Sequence, residues 1–88
     1  MLKITAIADG PCGVLLKLEG KLLQPWVEEL AQVCTHWTAK AYAVRLDLSA
    51  VTFVDPAGAQ FLREQIRQGI AIAACSRFVA ELLHLENS

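Results

Sequence analysis

V-R-L-D-L-S-A-V-T-F-V-D-P-A-G-A-Q-F-L-R-E-Q-I-R-Q, Val44 to Gln68, changes its hydrophobic period midway. Val44, Leu46 and Leu48 alternate with Arg45, Asp47 and Ser49, the pattern of a strand with one buried face. Further on, Gly58, Leu62, Gln65, Ile66 and Gly69 share one face at helical spacing. Phe53 to Gly58 join the two as a tight loop. Pro56, with a fixed φ and no N–H, suits a first helical position. Asp55 is then the N-cap, its carboxylate accepting from orphan N–H groups and favoured by the positive end of the helix dipole.

The flanking segments extend this strand–loop–helix unit on both sides. Leu2 to Ala8 alternates Leu2, Ile4 and Ala6 with Lys3, Thr5 and Ile7, as a strand does. Asp9-Gly10-Pro11-Cys12-Gly13 is dense in turn residues and reverses the chain. Val14 to Glu19 reads as a second strand, making a hairpin with the first, and Gly20-Lys21-Leu22 ends it. Pro25 opens a helix whose stripe is Trp26, Leu30, Val33, Cys34 and Trp37, with Glu28 and Glu29 near its positive end. The two tryptophans share a phase, which suits core packing better than a ligand platform. After the central stretch, Gly69 is expected at C′ and Ile70 to Ala74 as a short buried strand. Ser76 caps a last helix with Phe78, Val79, Leu82, Leu83 and Leu85 apolar. The expected fold class is α/β, in the order β-β-α-β-α-β-α. Its four-stranded mixed sheet combines an antiparallel hairpin with parallel crossovers.

Composition narrows the function. Eighty-eight residues suffice for one domain, residues 1–88, with a single modest core. A hydrophobic fraction of 55% argues against disorder, and a net charge of −1 gives no basis for nucleic-acid binding. No apolar run has membrane-spanning length, and Met1-Leu2-Lys3 begins no secretion signal. Three widely spaced cysteines, Cys12, Cys34 and Cys75, then fit a cytoplasmic protein with reduced thiols.

Leu46-Asp47-Leu48-Ser49, Phe53-Val54 and Asp55-Pro56-Ala57-Gly58 resemble the STAS domain family, best known from bacterial anti-sigma-factor antagonists. That family's strand reads Leu-Asp-Leu-Ser, followed by an apolar pair and by Asp-Ser-(Ser/Ala/Thr)-Gly at the start of a helix. The resemblance implies a small mixed sheet with helices mainly on one face. It also implies a signalling role in transcription regulation, through binding of a kinase-like anti-sigma factor. One position departs from the pattern. The family's phosphorylatable serine corresponds to Pro56, which has no hydroxyl, so that phosphorylation switch is absent there. Ser49, Thr52 and Ser76 are the nearest hydroxyls. Ser49 is the family's strand-end serine, Ser76 is a cap, and no motif marks Thr52 as a phosphoacceptor.

The reading is a non-enzymatic protein–protein interaction module with a contact set of Asp55, Pro56, Ala57, Gly58, Gln60 and Arg63. Within it, Pro56 also serves the helix start, and Gly58 allows a close approach of helix to sheet. The alternative partner that the family offers is the ATPase of a bacterial ABC lipid-transport complex, on which a small STAS subunit docks. A STAS domain fused to an anion transporter fits least. No nucleic acid, no direct membrane insertion and no cofactor are expected, and a homodimer is compatible with this reading. Some STAS domains are reported as nucleotide binders, but the five glycines form no phosphate-binding loop.

Enzymatic readings are weaker. Cys75, just before a helix start, is the candidate nucleophile, because a helix dipole favours the thiolate. Yet Glu81 occupies the place where a phosphatase loop has its arginine, so an inert thiol is favoured. His36 and His84 are isolated and no cysteine pair has ligand spacing, which argues against zinc. Asp47 and Asp55 are better explained by the strand motif and the cap than by acid–base catalysis. Gln60, Arg63, Glu64 and Arg67 give the second helix a small cationic stripe, the usual form of a solvated face.

Overall fold

A computed structural model describes residues 2–83 of the chain. Its elements are β1 (Leu2–Ala8), β2 (Gly13–Leu22), α1 (Gln24–Ala39), β3 (Ala43–Val54), α2 (Pro56–Arg67), β4 (Ala71–Cys75) and α3 (Arg77–Leu83). The order is the expected β-β-α-β-α-β-α. The sheet runs β1-β2-β3-β4, antiparallel between β1 and β2 and parallel across the other two pairs. Alternation decides which face is covered. Val14, Leu16 and Leu18 of β2 and Val44, Leu46 and Leu48 of β3 are buried, whereas Lys17, Glu19, Arg45, Asp47 and Ser49 are not. The buried set shares one core with Leu30 and Cys34 of α1, Ala59 and Leu62 of α2, and Val79 and Leu83 of α3.

Two strands are longer than their sequence suggests. β2 continues through Gly20 and Lys21 to Leu22, and β3 continues through Phe53 to Val54, which was expected to lie in the loop. The reason is a pair of register shifts, between Lys17 and Glu19 and between Gly20 and Lys21, each giving β3 one extra residue. They break the two-residue period, so that Val51 and Val54 still reach the core beyond Leu48. Gly20, at φ +108°, supplies backbone geometry that other residues resist, and the Thr52 hydroxyl donates to its carbonyl (3.2 Å).

Helix starts also differ slightly. α1 begins at Gln24 with Pro25 in its first turn, so Glu28 and Glu29 lie beyond that turn and not beside the positive end. Of its expected stripe, Leu30 and Cys34 are buried, while Trp26, Val33 and Trp37 pack half-buried against the core. At the end of α2, Gly69 takes φ +103°, with its amide bonded to Ile66 and that of Ile70 to Gln65. This is the expected C′ glycine in a Schellman arrangement. Ile70 is thereby drawn into the helix end, and β4 starts at Ala71 and runs to Cys75. Ser76 caps α3 as expected, accepting from the Val79 amide (3.3 Å). His84 and Leu85 lie outside the described residues.

Candidate functional site: the β3–α2 junction

Asp55 follows β3 where the N-termini of two helices converge. Its Oδ1 accepts from the Gly58 amide (2.7 Å) and so caps α2. Its Oδ2 accepts from the Gln24 amide (2.8 Å), at the start of α1. The Asp55 amide donates to the Leu22 carbonyl (3.1 Å), fixing the loop to the end of β2. One carboxylate thus meets two helix N-termini, where a negative charge is favoured by both dipoles. Leu23, the N-cap of α1, offers no side-chain acceptor of its own. Sequence reasoning found the α2 cap but missed the α1 contact, which spans 31 residues.

Gly58 explains how closely the junction packs. A β-carbon placed there would lie 2.8 Å from the Leu22 carbonyl oxygen and 3.0 Å from a Val54 methyl. Any side chain would push α2 off the ends of β2 and β3.

The six expected contact residues separate by exposure. Pro56, Gln60 and Arg63 are exposed, Asp55 and Ala57 are half-buried, and Gly58 is buried. Gly58 therefore acts as packing beneath the surface, not as part of it. Asp55, Pro56 and Arg63 line one shallow hollow of about 270 Å³ together with Val54, Ala59 and Leu82. Gln60 and Ala57 are not in its lining. Arg63 reaches across to α3, where its guanidinium donates to the Leu82 carbonyl (3.2 Å). Leu82 escaped the sequence reading because its apolar character was assigned to the core. Phe53 and Phe78 are unusually open for their size, at 46% each.

Cys75 is half-buried at the end of an edge strand, ahead of α3. Arg77 pairs with Glu81 (3.4 Å). Among the described residues, no group of three or more His, Cys, Asp or Glu stands where it would hold a metal ion. His36 is exposed and packs edge-on against Trp37. The nearby hydroxyls are engaged: Ser49 donates to Asp47 Oδ1 (2.6 Å), Thr52 to Gly20, and Ser76 accepts from Val79. The Ser49 hydroxyl and amide together hold the Asp47 carboxyl below its ordinary pKa, with Lys17 adding a smaller electrostatic contribution. Among the described residues, no helix is long and apolar enough to cross a membrane.

The sequence matches the STAS domain family over residues 3–87. The chain belongs to that family. The structure of the anti-sigma factor antagonist SpoIIAA in its unphosphorylated form is similar to this STAS domain, with a TM-score of 0.74 at 14% identity. That match covers 97% of this chain and 81% of SpoIIAA. An uncharacterised protein from Shewanella loihica with a SpoIIAA-like fold is also similar, with a TM-score of 0.62 at 14% identity, covering 98% of this chain and 77% of that one. A search of curated proteins finds no match. At such identity the two structures establish the fold of this STAS domain: a four-stranded mixed sheet with three helices in SpoIIAA-like arrangement. The STAS family is one of non-enzymatic interaction domains.

Proposed function

We propose that this STAS domain is an anti-sigma-factor-antagonist-like module that binds its protein partner constitutively, through the β3–α2 junction. The observation that carries the reading is Pro56. It stands exposed at the first position of α2, where the family's phosphorylatable serine belongs, and it offers no hydroxyl. A phosphate there would add negative charge at the docking surface and release the partner. Without it, the hollow formed by Asp55, Pro56, Arg63 and Leu82 stays available, with Phe53, Phe78 and Gln60 as further exposed contact groups. Arg63 keeps a cationic head at the rim, which suits an acidic complement on the partner. A kinase-like anti-sigma factor, in a bacterial cytoplasm, is the partner this reading names.

The test is cross-linked capture from native lysate with partners identified by mass. Wild type is compared with Arg63→Glu and Pro56→Arg, which alter the exposed surface without touching the Asp55 cap. Capture of a kinase-fold anti-sigma factor that both variants lose supports the reading. Adding the purified partner and ATP to Pro56→Ser should then permit phosphorylation and release, while wild type stays bound. Capture of an ABC transporter ATPase instead would assign the domain to the transport alternative. Equal binding by all the variants would remove the junction as the interface.

A further inference from the structure

The free edge of β1 plays no part in the junction. Among the described residues, β1 is the outermost strand and pairs only with β2. The Asp9 amide donates to the Gly13 carbonyl (3.0 Å), one position beyond the regular β1–β2 register. Antiparallel ladders bond every second residue, so Lys3, Thr5 and Ile7 turn their amides and carbonyls toward β2. Those of Ile4, Ala6 and Ala8 point away from the sheet, and among the described residues no strand pairs with them. Natural edges of this kind are usually interrupted by proline, a bulge or several charges. β1 has no proline, its register with β2 is unbroken, and its only charged residue is Lys3. At the other edge, β4 has five residues and shifts register after Leu46.

We propose that this edge takes a second copy of the chain, its β1 lying antiparallel across a two-fold axis at Thr5. The outward groups of Ile4 then exchange hydrogen bonds with those of Ala6 in the second copy, and Leu2 stands opposite Ala8. The strand is complementary to itself in this register. Large Leu2 and Ile4 occupy one half of its core-facing side, and small Ala6 and Ala8 the other. Beside the small half lies an apolar hollow of about 190 Å³, lined in part by Ala6, Ala8, Val14, Trp37 and Tyr42. Ile4 of the second copy is positioned to cover it. On the open face, Ile7, 43% exposed, is shielded by the alkyl stem of the opposing Lys3. Charge follows the same symmetry. Lys3 stands near one end of the strand and Asp9, whose carboxylate accepts from Arg45 of β3 (3.0 Å), just past the other, so antiparallel pairing sets Lys3 diagonally across from that ion pair at both ends. A closed two-fold contact of this kind uses one patch twice and leaves neither β1 edge unpaired. The pairing also leaves β3, and with it Asp55, two strands in from the joined edge, so a dimer presents two junctions.

The measurement is light-scattering mass across a concentration series, combined with site-directed cross-linking. In a Cys12→Ser, Cys75→Ser background, Thr5→Cys places two thiols directly across the axis, with Cβ atoms about 4.5–5.5 Å apart. Lys3→Cys places them four residues out of step, roughly 13 Å apart. The expected result is a species of twice the chain's mass, disulfide-linked through Thr5→Cys and not through Lys3→Cys. Mixing Lys3→Cys with Ile7→Cys chains should restore the link. Ala6→Pro removes an amide that bonds nothing in its own sheet, so the fold survives while dimerisation weakens by about tenfold or more. A chain that stays monomeric throughout the series overturns the proposal, even if an unrelated extended peptide adds to the edge. So does a dimer in which Thr5→Cys links no better than Lys3→Cys.

Discussion

Both carboxylate oxygens of Asp55 are used within the fold, one by each helix start. Asp55→Ala is therefore expected to destabilise the domain by about 2–3 kcal/mol, a lost cap plus a second hydrogen bond. Urea unfolding measures this as a lower midpoint at unchanged slope. Lost partner binding in an Asp55 variant would then report the fold as much as the contact, which makes Arg63 and Pro56 the cleaner probes. Asp47 makes a second residue-scale prediction. Its folded pKa is lowered, first by the Ser49 hydroxyl and then by the Ser49 amide. A lowered folded pKa means stability that is present above the unfolded value of 3.8 and lost as pH falls through the folded value. Ser49→Ala should move the Asp47 carboxyl back up in an NMR titration and shrink the acid sensitivity of that window.

At the scale of the elements, the same helix ending is built twice with different residues. Gly69 takes the left-handed position after α2, but after α1 that position is Ala41, at φ +63°. The Ala41 amide bonds Thr38, and that of Tyr42 bonds Trp37, the Schellman pair again. An alanine pays a steric cost here that glycine does not. Ala41→Gly should raise stability by roughly 0.5–1 kcal/mol, read as a higher thermal midpoint. Gly58→Ala should act in the opposite direction. Its β-carbon meets the Leu22 backbone and Val54, and the overpacking should cost about 1–3 kcal/mol. If Gly58→Ala unfolds at the wild-type midpoint, α2 is not held as closely to the strand ends as these contacts require.

For the molecule as a whole, the three thiols sample three depths. Cys12 is exposed in the hairpin turn, Cys75 half-buried at the end of β4, and Cys34 buried in α1 with its pKa pushed up to about 11 by burial. A neutral-pH thiol assay should label Cys12 first and Cys75 more slowly, and leave Cys34 unreacted until the chain unfolds. Because burial favours the neutral thiol of Cys34, its contribution to stability declines as pH rises from the ordinary thiol value of 9.0 toward 11. Cys75 labelling faster than exposed Cys12 would return the thiol-enzyme reading to consideration.

Periodicity alone determined the element order, because burying one face imposes a two-residue period on strands and a 3.6-residue period on helices. The cap at Asp55, the proline start of α2 and the C′ role of Gly69 were equally legible, since each depends on neighbours within a few residues. What lay hidden depended on groups far apart in the chain. The Gln24 amide reaches Asp55 only because α1 and α2 begin at the same end of the sheet. The register shifts that carry β3 through to Val54 exist only against β2. Leu82 joins the junction only where α3 packs beside α2. Local propensity acts through adjacent backbone, whereas these contacts arise once the sheet has ordered its strands and brought the ends of separate elements together.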